Sequence, residues 1–130
     1  MKRQFGLKVL LALLGAGAIS AAHAYDSDWK RGRIYYRQIC TVCHTAELKK
    51  AIAPNDKTKA EWTAYFQADK HNKGKDAVKH YFSSQYRDSI KAKNAAAAKY
   101  ADLQEKDLIE DVKAFLNKSA KDGEAPAGCS

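Results

Sequence analysis

Two segments of the chain place apolar residues every three to four positions, the spacing of one face of an α-helix. The first runs from Trp29 through Ile39 to Cys40 and follows Asp26-Ser27-Asp28, a run that favours a helix N-cap. The second covers residues 105–117. Its apolar stripe consists of Leu108, Ile109, Val112, Phe115 and Leu116. Because no segment shows a convincing strand-type alternation, the pattern predicts an all-α protein with this stripe in its core.

The predicted first helix carries a glycine on one of its faces. Gly32 and Tyr36 are four positions apart, so they share a face. A glycine has no Cβ atom, which lets another helix cross there at short distance. The helix predicted over residues 105–117 is a suitable partner, and we expect the two terminal helices to cross.

The middle of the chain predicts two further helices. One lies between residues 57 and 69, with Thr58 as its cap, and a turn over residues 70–74 leads to the other, over residues 75–91. The apolar face of the first consists of Trp62, Tyr65 and Phe66, and that of the second of Val78, Tyr81, Phe82, Tyr86 and Ile90. The alanine run at 95–98 predicts a helix or a close-packed connector.

Residues 1–24 have the three parts of a cleavable export signal. Lys2 and Arg3 give a positive start, residues 9–19 are apolar, and Ala22-His23-Ala24 is a small-x-small cleavage site. The alternative is a retained membrane anchor, but the apolar run is short for about 30 Å of hydrocarbon and no stop-transfer charges follow it. We therefore expect cleavage after Ala24, a periplasmic or secreted protein, and no membrane span after cleavage.

Cleavage would leave 106 residues, enough for one domain and too few for two well-packed ones. The predicted domain covers residues 25–118, and the small, polar residues 119–130 predict a flexible tail that carries Cys129. Net charge falls from +8 to +5 on cleavage. This charge suits an acidic protein partner, whereas no nucleic-acid-binding motif is present.

The chemistry is concentrated in Cys40-Thr41-Val42-Cys43-His44, a CxxCH motif. Two thiols three positions apart on a helix can both add across the vinyl groups of a haem, and the adjacent histidine then lies under the iron. A redox CxxC pair would need alternating strands and helices, and a zinc site would need about four ligands. A plain disulfide would leave His44 as a coincidence. The motif predicts one covalently attached haem c, with Cys40 and Cys43 as attachment points and His44 as an iron ligand.

Together, Gly32-x-x-x-Tyr36-x-x-x-Cys40-x-x-Cys43-His44 and the helix that follows Leu103 resemble the class I cytochrome c family. The resemblance implies a small all-α fold in which the N- and C-terminal helices cross around one haem. It also implies that His44 is the proximal ligand and that the carbonyl of Pro54 accepts its imidazole N–H. Trp62, in turn, would either donate its indole N–H to a haem propionate or simply pack in the core.

The family pattern fails at the distal ligand. Class I cytochromes usually supply a methionine before the last helix, but Met1, the only methionine, leaves with the export segment. We favour His71 as the distal ligand because it ends the aromatic helix in a turn that could fold over the haem. His80 is the second choice, because on a helical wheel it lies about 200° from Val78 and therefore on the opposite, solvent-facing side of the helix. A lysine, Tyr81, Tyr86 or an open sixth position remain as alternatives.

These features predict a one-electron carrier rather than an enzyme. A bis-histidine iron lacks the thioether that raises the potential of methionine-ligated cytochromes, so we expect a low potential. Lysines cluster around the suspected distal turn and would steer acidic redox partners. These lysines are Lys70, Lys73, Lys75 and Lys79. The rival functions are a haem enzyme or small-ligand sensor with an open sixth position, and a haem subunit of a larger redox assembly.

Overall fold

The computed structural model describes residues 24–71 and 76–128, and all regular secondary structure within them is helical, as predicted. The predicted export segment, apart from Ala24, lies outside the described residues, as do Lys73, Lys75 and Cys129. The α-helices are α1 (Trp29–Tyr35), α2 (Thr41–Leu48), α3 (Lys59–Ala68), α4 (Ser84–Ile90) and α5 (Glu105–Ser119). Three 3₁₀ helices cover Pro54–Asp56, Val78–Phe82 and Ala95–Tyr100, and a π-helical segment covers Tyr36–Cys40.

The N-terminal helix is continuous from α1 through the π-helical segment into α2. Its start confirms the predicted cap, because the Asp28 carboxylate accepts hydrogen bonds from the backbone N–H groups of Lys30 and Arg31 at 2.9 and 3.1 Å. The π-helical segment Tyr36–Cys40 was not predicted. It is a wider turn that ends on Cys40, the first cysteine of the motif, and such turns are frequent at functional sites.

The terminal helices pack against each other, as the prediction of their crossing requires. Helix α1 packs against α5, and a Cβ atom built on Gly32 would lie 2.0 Å from the carbonyl oxygen of Asp111. Only a glycine tolerates this backbone approach. The apolar stripe of α5 is core as expected, with Leu108, Val112 and Leu116 at most 1% exposed.

A buried carboxylate ties the start of α1 to the same crossing. Asp111 is fully buried, and its Oδ2 pairs with Arg31 Nε at 2.5 Å. Its Oδ1 accepts hydrogen bonds from the Tyr25 hydroxyl at 2.8 Å and from the Asp28 backbone N–H at 2.7 Å. Both oxygens of this carboxylate thus have partners, and these bonds offset the cost of burying the charge.

The aromatic helix is confirmed, but the predicted helix over residues 75–91 is wrong as a single element. Thr58 caps α3 in a capping box with Glu61. In the later segment, Ser83 separates the 3₁₀ helix Val78–Phe82 from α4. The Ser83 hydroxyl accepts the backbone N–H of Tyr86 at 3.1 Å, so it starts a new helix where periodicity predicts a continuous one. The apolar stripe still faces inward, with Val78 and Phe82 buried.

The alanine run forms the 3₁₀ helix Ala95–Tyr100, a close-packed connector. Ala97 is 1% exposed. The buried side chain of Arg87 holds the end of this connector, because its guanidinium donates to the carbonyl oxygens of Tyr100 and Leu103. Backbone carbonyls therefore satisfy a buried cation.

Residues 120–128, part of the segment for which the sequence predicts a flexible tail, form backbone hydrogen bonds with the rest of the fold. Helix α5 extends to Ser119, and the following Ala120 is fully buried. The Lys121 N–H donates to the Lys57 carbonyl at 2.9 Å, and the Asn55 N–H donates to the Ala127 carbonyl at 3.2 Å. The small residues of this segment let it lie against the Pro54 loop, and its polar backbone groups find partners there.

Candidate functional site

A cavity of about 800 Å³ opens between the N-terminal helix, α3 and the segment that leads into α4. Its size falls in the range of about 300–1,000 Å³ typical of small-molecule and cofactor sites, and its wall is mainly apolar and aromatic. The lining residues are Tyr36, Ile39, Cys40, Thr41, Cys43, His44, Glu47, Lys50, Ile52, Lys57, Trp62, Tyr65, Phe66, His71, Val78, Tyr81, Phe82, Tyr86, Val112 and Leu116. The structure thus brings Cys40, Cys43, His44, Trp62 and His71 of the predicted site to one cavity.

The two cysteines reach this cavity from the middle of a helix. Cys40 ends the π-helical segment and Cys43 lies in the first turn of α2. Burial raises the pKa of the Cys40 thiol to about 12, so this thiol is neutral at physiological pH. Redox-active CxxC pairs instead lower the pKa of a thiol, commonly at a helix N-terminus.

A tyrosine from α4 contacts the second cysteine. Burial, and after it the proximity of Cys43, raises the pKa of the Tyr86 hydroxyl. Tyr86 therefore stays neutral beside the sulfur atom. The contact places α4 against the CxxCH motif on the cavity side.

The two candidate iron ligands face each other. The imidazole rings of His44 and His71 have their centroids 5.6 Å apart, with a 45° angle between the ring planes. Burial, and secondarily the proximity of His44, lowers the pKa of His71. A lowered pKa favours the neutral imidazole, which is the form that binds a metal.

The spacing of these rings fits a metal ion held between them. A metal lies about 2 Å from an imidazole nitrogen, and the ring centre roughly 1 Å beyond, so two imidazoles that share a metal have centroids about 6 Å apart. The buried Nδ1 atom of His44 has no hydrogen-bond partner among the described residues. A buried, unpaired histidine nitrogen on a cofactor-sized cavity is a further sign that the ring is placed for a ligand.

The second distal candidate lies outside the cavity wall. The His80 side chain is 36% exposed and approaches Asp76 at 3.8 Å. Its ring packs against Tyr81 and Tyr86, with centroids 5.5 and 5.4 Å away. The geometry therefore distinguishes the two histidines, and it favours His71.

Trp62 and Pro54 form a hydrogen bond with each other. The family resemblance implies other partners: a haem propionate for Trp62 and the His44 imidazole for the Pro54 carbonyl. The indole N–H of Trp62 donates to the carbonyl of Pro54 at 2.8 Å, and both residues are buried. The indole has a single N–H, so this bond uses its only hydrogen-bond donor. The Pro54 carbonyl, likewise, has no bond to His44. The alternative expectation for Trp62, core packing, matches its 4% exposure.

Several cavity residues had no role in the sequence interpretation. Tyr65 lines the wall, and burial raises the pKa of its hydroxyl to about 12. Lys50 and Lys57 add positive charge at the cavity, and Lys57 Nζ lies 5.9 Å from the centre of the Trp62 ring. The apolar pattern places Tyr65 on the aromatic face of its predicted helix without assigning it a role at the site, whereas nothing in the sequence distinguishes these lysines from other surface lysines.

Within residues 24–71 and 76–128, no three His, Cys, Asp or Glu side chains converge as ligands for a metal ion. A haem iron would not need such a group, because the porphyrin supplies four nitrogen ligands and the protein only one or two more. In the same residues, no helix is both long and apolar enough to cross a membrane. Comparisons of the chain with models of known protein families, with curated proteins and with solved structures found no match.

Proposed function

We propose that the protein is a monohaem c-type cytochrome of the class I kind that carries single electrons in the periplasm or outside the cell. One observation carries the proposal: the two cysteines and two histidines of the predicted site line a single, mainly aromatic cavity, with the His44 and His71 rings 5.6 Å apart. The crossing of α1 and α5 at Gly32 is consistent with the family resemblance.

Cys40 and Cys43 would hold the haem covalently. Each thiol would supply the sulfur of a thioether to a haem vinyl group, an addition in which the thiol hydrogen would go to the other vinyl carbon with no electron gained or lost. When bound, the haem supplies an iron that alternates between the ferric and ferrous states.

His44 and His71 would both hold the iron. Two histidine ligands would leave no place for an exogenous ligand, which favours electron transfer over catalysis on the haem. The absence of a thioether ligand favours a low potential. The aromatic residues that line the site would limit the access of water to a bound haem, which also influences the potential.

The positive charge of the chain suits an acidic redox partner. Lys70 and Lys79 near the distal turn are exposed, although Lys79 approaches Asp69 at 3.8 Å. Exposed charges of this kind steer association, and their effect on the rate falls as salt is added. We therefore expect the electron-transfer rate with an acidic partner to decrease as ionic strength rises.

The decisive experiment is expression of the full chain in a host with a haem-attachment system, followed by mass and absorption measurements. We expect a mass increase of one haem that survives denaturation, a low-spin spectrum in both oxidation states, and no response to CO. A high-spin ferric spectrum with rapid CO binding would replace electron transfer by the sensor or enzyme alternative. A chain that carries no covalent haem would overturn the proposal.

A further inference from the structure

A second cavity, of about 400 Å³, lies on the other side of the N-terminal helix. It is bounded by that helix, by the end of α5 and by the attached segment up to Gly128. Tyr36 and Thr41 line both this cavity and the larger one, so the two sites are separate but adjacent. The larger cavity accounts for the CxxCH motif, and the smaller one has no part in the proposed function.

Two arginines one helical turn apart supply the charge of this cavity. Arg33 and Arg37 both line it, and neither guanidinium forms an ion pair in the part of the chain that the structure describes. A third cation, Lys118, lies on the opposite wall, where Glu124 at 2.9 Å partly neutralises it. The cavity therefore carries a surplus of positive charge.

The remaining wall is apolar and aromatic. Trp29, Tyr36, Phe115 and Pro54 line the cavity, and Lys118 Nζ lies 5.2 Å from the centre of the Trp29 ring. A lysine held at this distance from an indole makes a cation–π contact, which also keeps the ring in place. Lys30 Nζ also lies 5.9 Å from the centre of this ring, so a flat ligand that packs on Trp29 beside the arginines would displace one of the two ammonium groups.

We propose that this cavity binds a small organic anion, consisting of an aromatic body that packs against Trp29 and a phosphate or carboxylate that Arg33 and Arg37 hold. A guanidinium presents paired N–H donors that match both oxyanions. The apolar wall favours burial of a ring over binding of a free inorganic ion. The volume of about 400 Å³ admits one such molecule.

The test uses isothermal titration of the purified full chain with 1-naphthyl phosphate, which combines both features. We expect one molecule to bind per chain, and inorganic phosphate or 1-naphthol alone to bind at least about tenfold more weakly. Arg33→Gln and Arg37→Gln should each weaken binding of 1-naphthyl phosphate by about tenfold, since each removes a charge-assisted hydrogen bond. Both side chains are exposed, so the variants should fold, and circular dichroism checks that they do.

Lys93→Gln and Lys106→Gln are matched controls, because they remove one exposed positive charge that does not line the cavity. Equal losses in these controls and the arginine variants would reduce the effect to general charge attraction and overturn the proposal. So would the absence of binding by the wild-type chain. If inorganic phosphate bound as tightly as 1-naphthyl phosphate, the aromatic subsite would be refuted. If 1-naphthol bound as tightly, the arginine subsite would be refuted. None of these results depends on haem attachment, so the two proposals fail independently.

Discussion

A Cβ atom on Gly32 would lie 2.0 Å from the carbonyl oxygen of Asp111, so helices α1 and α5 meet backbone to backbone at this point. Gly32→Ala forces the two helices apart, and we expect the free energy of unfolding to fall by about 3 kcal/mol, at the upper end of overpacking costs. Urea unfolding measures this change. The matched control is Gly128→Ala, where no atom lies within 4 Å of the added Cβ, and an equal loss in both variants would contradict the close crossing.

The hydrogen bond between Tyr25 and Asp111 predicts a decrease in stability at alkaline pH. Burial, the bond to Asp111 and the charge of Asp111 raise the pKa of Tyr25 from 10.0 to about 12. As pH rises through this interval, the unfolded chain loses the phenol proton first, so the stabilisation present below pH 10 is lost towards pH 12. Melting temperatures between pH 9 and 12 should fall more steeply for the wild type than for Tyr25→Phe. Parallel curves would show that the bond has no such role.

The bond between Trp62 and Pro54 predicts that Trp62 stabilises the fold without any cofactor. Trp62→Phe keeps an aromatic ring in the core but removes the N–H that the buried carbonyl accepts at 2.8 Å. We expect a loss of about 1–2 kcal/mol in the unfolding free energy of the haem-free chain. Trp29→Phe is the control, because the structure gives the half-buried Trp29 indole no hydrogen bond. If the haem-free Trp62→Phe chain were as stable as the wild type, the bond to Pro54 would not stabilise the fold, and the propionate role would remain as the explanation for Trp62.

The different positions of His71 and His80 predict different spectra for their alanine variants. Loss of His71 would remove the ring that faces His44, so we expect His71→Ala to become high-spin in the ferric form and to bind CO. His80→Ala should keep the wild-type spectrum, since His80 lies outside the cavity wall. Absorption spectra of both purified variants decide the matter, and an unchanged low-spin spectrum of His71→Ala would exclude it as the ligand.

Local signals in the sequence were enough to predict those helices whose ends and buried faces are set by residues close together in the chain. The Asp28 and Thr58 caps, the apolar stripe of α5 and the missing side chain of Gly32 all act within a turn or on one helical face. Periodicity alone failed at Ser83, because a cap three residues before Tyr86 competes with a continuing helix, and the same apolar positions suit both arrangements.

The candidate site also has a part that the sequence predicts and a part that depends on the tertiary structure. The CxxCH motif and its adjacent histidine are contiguous, so the sequence by itself determined which residues to consider and which chemistry they suit. Only the tertiary structure decided that His71 faces His44, that Trp62 bonds to Pro54 and that residues 120–128 close a second cavity. The physical reason is that each of these contacts joins segments distant along the chain or set by loop geometry, and such contacts depend on how the helices pack rather than on any local pattern.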